Sequence, residues 1–337
     1  MPGSDFTTNP PRIYREQDAN LLHLQNQRVA VIGYGNFGRP VALNLRDSGI
    51  DVIIGNVQDR FAENAQQDRF AVYSIPEAVS AATIIFMTLP DEVMSRVYLE
   101  HIAPYLKTGD LMLFASGYNI AYEYIEPPNF VDTGLLAPRT LANNIRQAYL
   151  SSRGYPTYIA LYRRHKPQAM DRLLAVALVI GALKQGALEI TFQQEVYLDL
   201  FWQQALLPAF HGLLLTAAQL LMSEGFPAET VLMELYLSGE LGEFFSQASQ
   251  QGLVATLEGM SVTAQYGMLS RTERFQETKI RFHMEAILDA IRSGKFAKEW
   301  ADEYADGYPR LARIRDKLKG SALWELEQLA LQLLQER

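Results

Sequence analysis

The stretch "RVAVIGYGNFG", residues 28–38, decides the fold. "RVAVIG" is a short apolar run of the kind that forms a buried strand, and the glycines after it keep the spacing G-x-G-x-x-G. Gly33 permits a tight turn out of the strand. Gly35 lets backbone N–H groups approach a pyrophosphate, and Gly38 lets the following helix pack close to the strand. The N-terminus of that helix adds a favourable field for phosphate. With Tyr34, Asn36 and Phe37 between them, these glycines read as the cradle of a dinucleotide.

The pattern continues on both sides of the loop. "FGRPVALNLRDSG" (37–49) has helical character and stops at Gly49, and "DVIIG" (51–55) is the second strand. "TIIFMTLP" (83–90), "DLMLFAS" (110–116), "FVDTGLLAP" (130–138) and "TYIALY" (157–162) repeat the strand theme, with helix-like segments such as "DEVMSRVYLEHIAPYL" (91–106) between them. Strands apolar on both faces, alternating with helices, predict an α/β Rossmann-type domain with a parallel, doubly wound sheet. After about residue 190 only helical periodicity remains, as in 200–222, 228–248 and 274–294. The expected organisation is a loose tail over 1–12, a nucleotide-binding domain over 13–187 and an all-helical domain over 188–337.

The end of the second strand sorts NAD from NADP, since NAD sites tend to place an acid there for the ribose hydroxyls. Asn56 holds that place here. Arg60 suits a 2′-phosphate, while Asp59 would repel one, so NADP(H) is favoured over NAD(H). Leu89 and Pro90 in "TLPDE" (88–92), and Ser116 and Gly117 in "SGYN" (116–119), follow strands on the side where a cofactor would lie.

Hydrophobic residues make up 48% and charged residues 20% of the 337, which is ordinary for a globular enzyme. A net charge of −8 argues against a nucleic-acid binder. The absence of cysteine excludes disulfides, zinc–thiolate sites and cysteine nucleophiles. No uncharged apolar run reaches membrane-spanning length and the start carries no signal-peptide pattern, so a cytoplasmic location is expected.

Wider stretches carry a resemblance. "RIYREQDANLLHLQNQRVAVIGYGNFG", "LPDE", "FASGYNI", "LAPR", "TFQQEVYLDLFWQQA" and "MSVTAQYG" occur in the order and spacing of ketol-acid reductoisomerases, and "IRSGKFAKEWADEYADGYP" (291–309) is similar to that family's C-terminal region. The resemblance covers about residues 12–315. It implies a Rossmann-type domain followed by a knotted helical domain, in the short-chain form that pairs through its helical domains as a homodimer. It also implies the conversion of acetohydroxy acids, with two magnesium ions driving an alkyl shift and NADPH delivering hydride.

Several positions that carry this chemistry differ here. The family's "D-L-F-G-E" becomes Asp199-Leu-Phe-Trp202-Gln203. Its later pair of glutamates becomes Glu234 and Ser238, its histidine becomes Ser116, and the lysine of "A-P-K" becomes Arg139. Glu195 and Ser261 match. Magnesium wants hard oxygen ligands and carboxylates to offset its dehydration. With Asp199 and Glu234 left as remnants of four acids, two-metal occupancy is expected to fail and the alkyl shift with it.

Hydride transfer can survive this loss, because the cofactor carries that chemistry. The sequence therefore predicts a reductase of a small imine or carbonyl compound that does not require magnesium. Asp199 is the first candidate for the proton, on the premise that its apolar neighbours bury it and so raise its pKa. Glu195, Glu234 and Tyr118 follow. Arg139 suits a substrate carboxylate or cofactor phosphate, Gln203, Ser238, Ser261 and Trp202 line up as substrate contacts, and Trp202 is expected to fill space either in the core or where the missing ion and substrate would have been. The alternatives are a functional ketol-acid reductoisomerase and a non-catalytic protein that keeps the fold.

Overall fold

The computed structural model describes residues 10–272, 274 and 278–335. The expected tail over 1–12 falls mostly outside them. The chain divides after Leu198 into two compact units.

The first unit is a nine-stranded sheet. Its strands are β1 (Ile13–Tyr14), β2 (Arg28–Ile32), β3 (Asp51–Gly55), β4 (Val72–Tyr73), β5 (Ile84–Met87), β6 (Leu111–Phe114), β7 (Asp132–Pro138), β8 (Thr157–Arg163) and β9 (Ala187–Glu189). They lie side by side as β4-β3-β2-β5-β6-β7-β8-β9-β1. The first six of these are parallel, with the chain reversing its direction of travel across the sheet between β2 and β5. That is the doubly wound order whose switch point holds dinucleotides beyond the strands' carboxyl ends.

The helices are α1 (Gly38–Asp47), α2 (Arg60–Gln67), α3 (Ile75–Ala81), α4 (Asp91–Val97), α5 (Tyr118–Ala121), α6 (Ala142–Leu150), α7 (Ala169–Val179) and α8 (Phe192–Phe201). Residues alternate faces along each strand. Val29, Val31, Phe86 and Leu113 join Val41, Leu45, Leu173 and Val176 in one buried core, under α1 and α7. Ala30, Ile32, Ile85, Met87 and Met112 join Ile75, Val79 and Met94 in the other, under α3 and α4. Helices on both faces explain why the strands read as continuous apolar runs.

Two features differ from the expected all-parallel pattern. β8, the "TYIALY" segment, runs antiparallel to β7, with Thr157 opposite Pro138. After α6 the chain turns back through Ser152 (φ 56°) and Gly154 (φ 66°), and Arg139 N–H donates to Pro156 O at 2.8 Å. The excursion therefore returns to the end of the sheet it left, and strand–helix alternation alone does not encode that return. The short strands β1, β4 and β9 have too few residues to show periodicity.

The first unit extends beyond the expected boundary at 187/188 because the start of α8 is anchored in it. The Phe192 ring meets Phe114 at 6.3 Å and Tyr162 at 5.7 Å, edge to face.

The second unit is helical. After a π-helical turn at Trp202–Leu206 come α9 (Leu207–Ser223), α10 (Ala228–Leu232), a second such turn at Met233–Leu237, and α11 (Glu240–Gln251). α12 (Leu253–Glu258), α13 (Val262–Thr272), α14 (Thr278–Arg292), α15 (Lys295–Ala305), α16 (Pro309–Lys319) and α17 (Ala322–Gln335) follow. The predicted helix over 228–248 is broken at Gly239, whose φ of 87° is left-handed. Among the described residues of this unit, Ala218, Val231, Leu232 and Ala330 form a buried apolar cluster. Residues 192–223 form one helical stretch long and apolar enough to cross a membrane by length and composition, and 11% of its most apolar window is buried. Residues 200–223 within it carry no Asp, Glu, Lys or Arg, which departs from the expectation that no uncharged apolar run reaches that length.

Candidate nucleotide site and the residues around it

The glycine loop sits at the carboxyl end of β2. Gly33 has φ 96°, and its N–H donates to Gly55 O at 2.9 Å. A Cβ on Gly38 would lie 2.0 Å from Gly33 O and 2.7 Å from Thr88 Oγ1, so α1 approaches the strand as closely as an alanine would forbid. A Cβ on Gly35 would meet nothing within 4 Å. That open face is where backbone N–H groups can receive phosphates, so the cradle fits a dinucleotide. Asn36 is exposed at the rim, and the half-buried Phe37 ring meets Phe86 at 6.1 Å. A cavity of about 760 Å³ opens beside the loop, lined by Tyr34, Gly35, Asn36, Arg39, Phe61 and Arg146 among others.

Tyr34 is held from two sides. Its buried ring sends its hydroxyl to Asp68 Oδ2 at 2.7 Å, and Arg39 binds the same carboxylate through Nε at 2.7 Å. Burial, with the Asp68 contact, pushes the Tyr34 phenol well above its ordinary value. Its backbone N–H donates to Asn56 Oδ1 at 3.1 Å. Asn56 Nδ2 donates to Val57 O and to Asp59 Oδ1. Asn56 therefore has both amide hydrogens engaged inside the protein, and its expected place as a ribose contact needs correction. Arg60 is exposed, with its guanidinium 4.7 Å over the Phe61 ring. Leu89 packs over Gly33, and Pro90 leads into α4.

At the end of β6, Ser116 Oγ accepts from Tyr118 N–H at 3.2 Å. Gly117 N–H donates to Glu195 Oε2 at 2.8 Å, and Arg139, just past β7, donates to Glu195 Oε1 at 3.0 Å. Glu195 is 1% exposed. A carboxylate holding two donors is an acceptor and not a source of protons. Glu195 fastens α8 to the loops after β6 and β7, and Arg139, expected to grip a substrate carboxylate or cofactor phosphate, binds Glu195 while stacking 5.1 Å over Tyr158. Gly117 has no room for a side chain, because its Cβ would lie 2.6 Å from Phe192 O. Gly117→Ala is expected to lower the melting temperature by several degrees, corresponding to about 1–3 kcal/mol of overpacking; an unchanged melting curve would contradict the contact.

Tyr118 is 6% exposed, and its hydroxyl has no hydrogen-bond partner among the described residues. Its ring meets Tyr122 at 4.9 Å and Tyr124 at 6.1 Å. Burial, then the neighbouring Tyr124 and Asp91, hold its phenol far above the ordinary tyrosine value. It is a neutral, fixed O–H donor.

In the second unit, Gln203 Nε2 donates to Asp199 Oδ2 at 2.7 Å across one helical turn. Asp199 is half-buried, not buried as its apolar neighbours predict. Trp202 is 45% exposed and fills no enclosed space in the single chain. Glu234 and Ser238 are exposed, and the π-helical turn at 233–237 separates them from a regular i,i+4 register. Ser238 Oγ accepts from Glu240 N–H at 3.3 Å, and Ser261 Oγ accepts from Ala264 N–H at the start of α13 at 3.3 Å. Both serines are thus occupied with local backbone. Among the described residues no group of three or more His, Asp or Glu side chains could hold a metal ion. At the four positions where the family places carboxylates, Asp199 and Glu234 keep one while Gln203 and Ser238 do not, so a magnesium pair would meet half the negative charge that offsets its dehydration.

The glycine pattern found the nucleotide loop. No periodicity or spacing marks Asp68 or Thr88, which hold that loop from distant positions in the chain, or the role of the adjacent Arg39, which binds Asp68.

Comparison with known proteins agrees with this geometry. Residues 23–186 match the family model for the acetohydroxy acid isomeroreductase NADPH-binding domain, and residues 192–335 match the ketol-acid reductoisomerase C-terminal domain. The ketol-acid reductoisomerase (NADP(+)) of Pyrobaculum calidifontis is 37% identical over 91% of this chain and 94% of its own. That of Methanopyrus kandleri is 38% identical over the same shares. A solved NADH-preferring ketol-acid reductoisomerase from an uncultured archean superposes with a TM-score of 0.90 at 31% identity, covering 96% of this chain and 99% of that one. The protein is an NAD(P)H-dependent oxidoreductase with a Rossmann-type domain followed by a helical domain. Through both of its domains, the chain belongs to the ketol-acid reductoisomerase family.

Proposed function

We propose that this family member is a reductase that has dropped the magnesium-dependent isomerisation and reduces a small imine or carbonyl compound. The observation that carries the reading is the 2.7 Å hydrogen bond from Gln203 to Asp199. Gln203 brings a neutral amide to Asp199 where a second carboxylate's charge would help hold a cation, and Ser238 adds no charge to replace it. Without two cations, a step that needs Lewis acids loses its driving force. When bound, the nicotinamide cofactor supplies the hydride.

The chain's own part is to hold the nucleotide on Gly33–Gly38, to present the Tyr118 hydroxyl as a hydrogen-bond donor, and to supply a proton from Asp199, with Glu234 as the second acid. A donor that stays neutral suits an acceptor atom gaining electron density. For the cofactor we propose NADPH over NADH, with Arg60 facing the 2′-phosphate. The location is the cytoplasm and the working form a homodimer. The sparsely buried stretch 192–223 gives a second copy an apolar face to cover, with Leu206, Leu213 and Leu220 all about half exposed.

A second reading, a working ketol-acid reductoisomerase, is favoured by the family match over both domains and by the retained Asp199 and Glu234. The deciding experiment measures oxidation of NADPH and NADH with cyclic imines, simple ketones and acetolactate. Turnover of an imine or ketone supports the first reading, and turnover of acetolactate alone supports the second. In the first case, Asp199→Asn is expected to keep cofactor affinity while turnover falls by about 10²-fold or more, the usual scale for losing a general acid. Equal turnover in that variant removes Asp199 from the mechanism.

A further inference from the structure

We infer that Asn56 is a positioning residue that couples the glycine loop to the cap of α2, and that Asp59 is what requires an amide at position 56. The inference rests on the nucleotide-binding part of the reading above and not on its metal independence.

Asn56 is 7% exposed and stands immediately after β3. Its Oδ1 accepts the Tyr34 N–H at 3.1 Å, inside the G-x-G-x-x-G loop. Its Nδ2 donates to Val57 O at 2.8 Å and to Asp59 Oδ1 at 2.9 Å. That same Asp59 oxygen accepts from Phe61 N–H at 2.9 Å and Ala62 N–H at 3.0 Å, which caps the first turn of α2. The amide cannot be turned over. A flipped side chain would face its nitrogen to the Tyr34 N–H and its oxygen to two acceptors. One buried amide thus links a loop amide to a helix cap in a single chain of hydrogen bonds.

The consequence concerns the acid that NAD sites tend to carry at this place. An aspartate at 56 could still accept from Tyr34, but its second oxygen would face the Asp59 carboxylate and the Val57 carbonyl at hydrogen-bond distance with no proton between them. Like charges that close repel strongly in a partly buried site. The side chain would swing away and release the Tyr34 N–H, and the loop would lose its set geometry. Exchanging the two residues repairs this. The carboxylate now at position 56 accepts from Tyr34 N–H, and the amide now at position 59 turns its nitrogen to the other carboxylate oxygen. That turn takes its oxygen off the Phe61 and Ala62 N–H groups, so the repair of the loop comes with a weaker α2 cap and a lower melting temperature, at unchanged net charge.

The test uses the full-length protein and reads dissociation constants for NADH and NADPH by nicotinamide fluorescence, with melting temperatures and kcat at saturating cofactor. Asn56→Asp is expected to weaken both cofactors tenfold or more while kcat stays within twofold. The exchange variant, Asn56→Asp with Asp59→Asn, is expected to restore both affinities to within threefold. Asp59→Asn alone should leave NADH affinity within threefold, because both amides keep an acceptor. If Asn56→Asp does not fold while the exchange variant does and binds, the coupling stands. Tighter NADH binding by Asn56→Asp, or an exchange variant that folds but binds as weakly as the single one, would overturn it. Failure of the unaltered protein to bind either cofactor would instead overturn the functional reading.

Discussion

Gly38→Ala is expected to abolish nucleotide binding, with NADPH and NADH affinity falling at least about 100-fold, or roughly 2.8 kcal/mol at 1.4 kcal/mol per decade. The new Cβ would stand 2.0 Å from Gly33 O. That oxygen is backbone, fixed by the turn at Gly33 and by the Thr88 hydroxyl, which donates to it at 2.7 Å. No flexible side chain is available to move, so α1 must slide outward or the turn must open. Either displaces the amides that face the phosphates. Gly35→Ala is the control. Its Cβ would meet nothing within 4 Å, so its melting temperature should stay within a degree while affinity drops about tenfold from obstruction of the ligand's own approach. Equal affinities for Gly38→Ala and the parent protein would contradict the cradle.

The second large effect is on stability. Arg139→Ala removes a donor from Glu195, a carboxylate 1% exposed. Breaking a buried pair by deleting one partner costs about 3–5 kcal/mol; the lower end applies here because the Arg139 side chain is 24% exposed. In a unit of this size that lowers the melting temperature by roughly 6–12 °C. Arg139→Lys should lose less than half as much, since it keeps the charge but gives up the planar fork and the stacking on Tyr158. A melting temperature within a degree of the parent for Arg139→Ala would show that α8 is anchored by its apolar contacts alone. The same contact joins two side chains of functional types that the sequence presents as separate candidates.

The nucleotide half of the site was legible because its signals are local. The three glycines, the apolar run before them and the helix after them lie within residues 28–49, and each has one structural job. The parallel strands were legible because burial on both faces leaves a continuous apolar run. What was not legible depends on long-range pairing. The antiparallel return of β8 is fixed by turns at Ser152 and Gly154, and the Arg139–Glu195 pair joins residues 56 positions apart. Asp199 shows the same limit from another side. Its neighbours in sequence are apolar, which predicts burial. Yet Leu198, Trp202, Leu206 and Leu207 are themselves 41–53% exposed, so an apolar run here marks a surface and not a core. The π-helical turns at 202–206 and 233–237 also escape periodicity, and they fall on the two segments where the family places its carboxylates.

The central claim is that this chain no longer holds a pair of magnesium ions and reduces its substrate without them. The direct measurement is calorimetric titration of magnesium into the NADPH-loaded full-length protein, paired with turnover in magnesium and in excess EDTA. The account predicts no binding of two ions at millimolar magnesium, imine or ketone turnover equal within twofold in the two conditions, and magnesium affinity that improves when Gln203→Glu and Ser238→Glu are combined. Two ions binding per chain in the unaltered protein, with acetolactate turnover that EDTA abolishes, would contradict it.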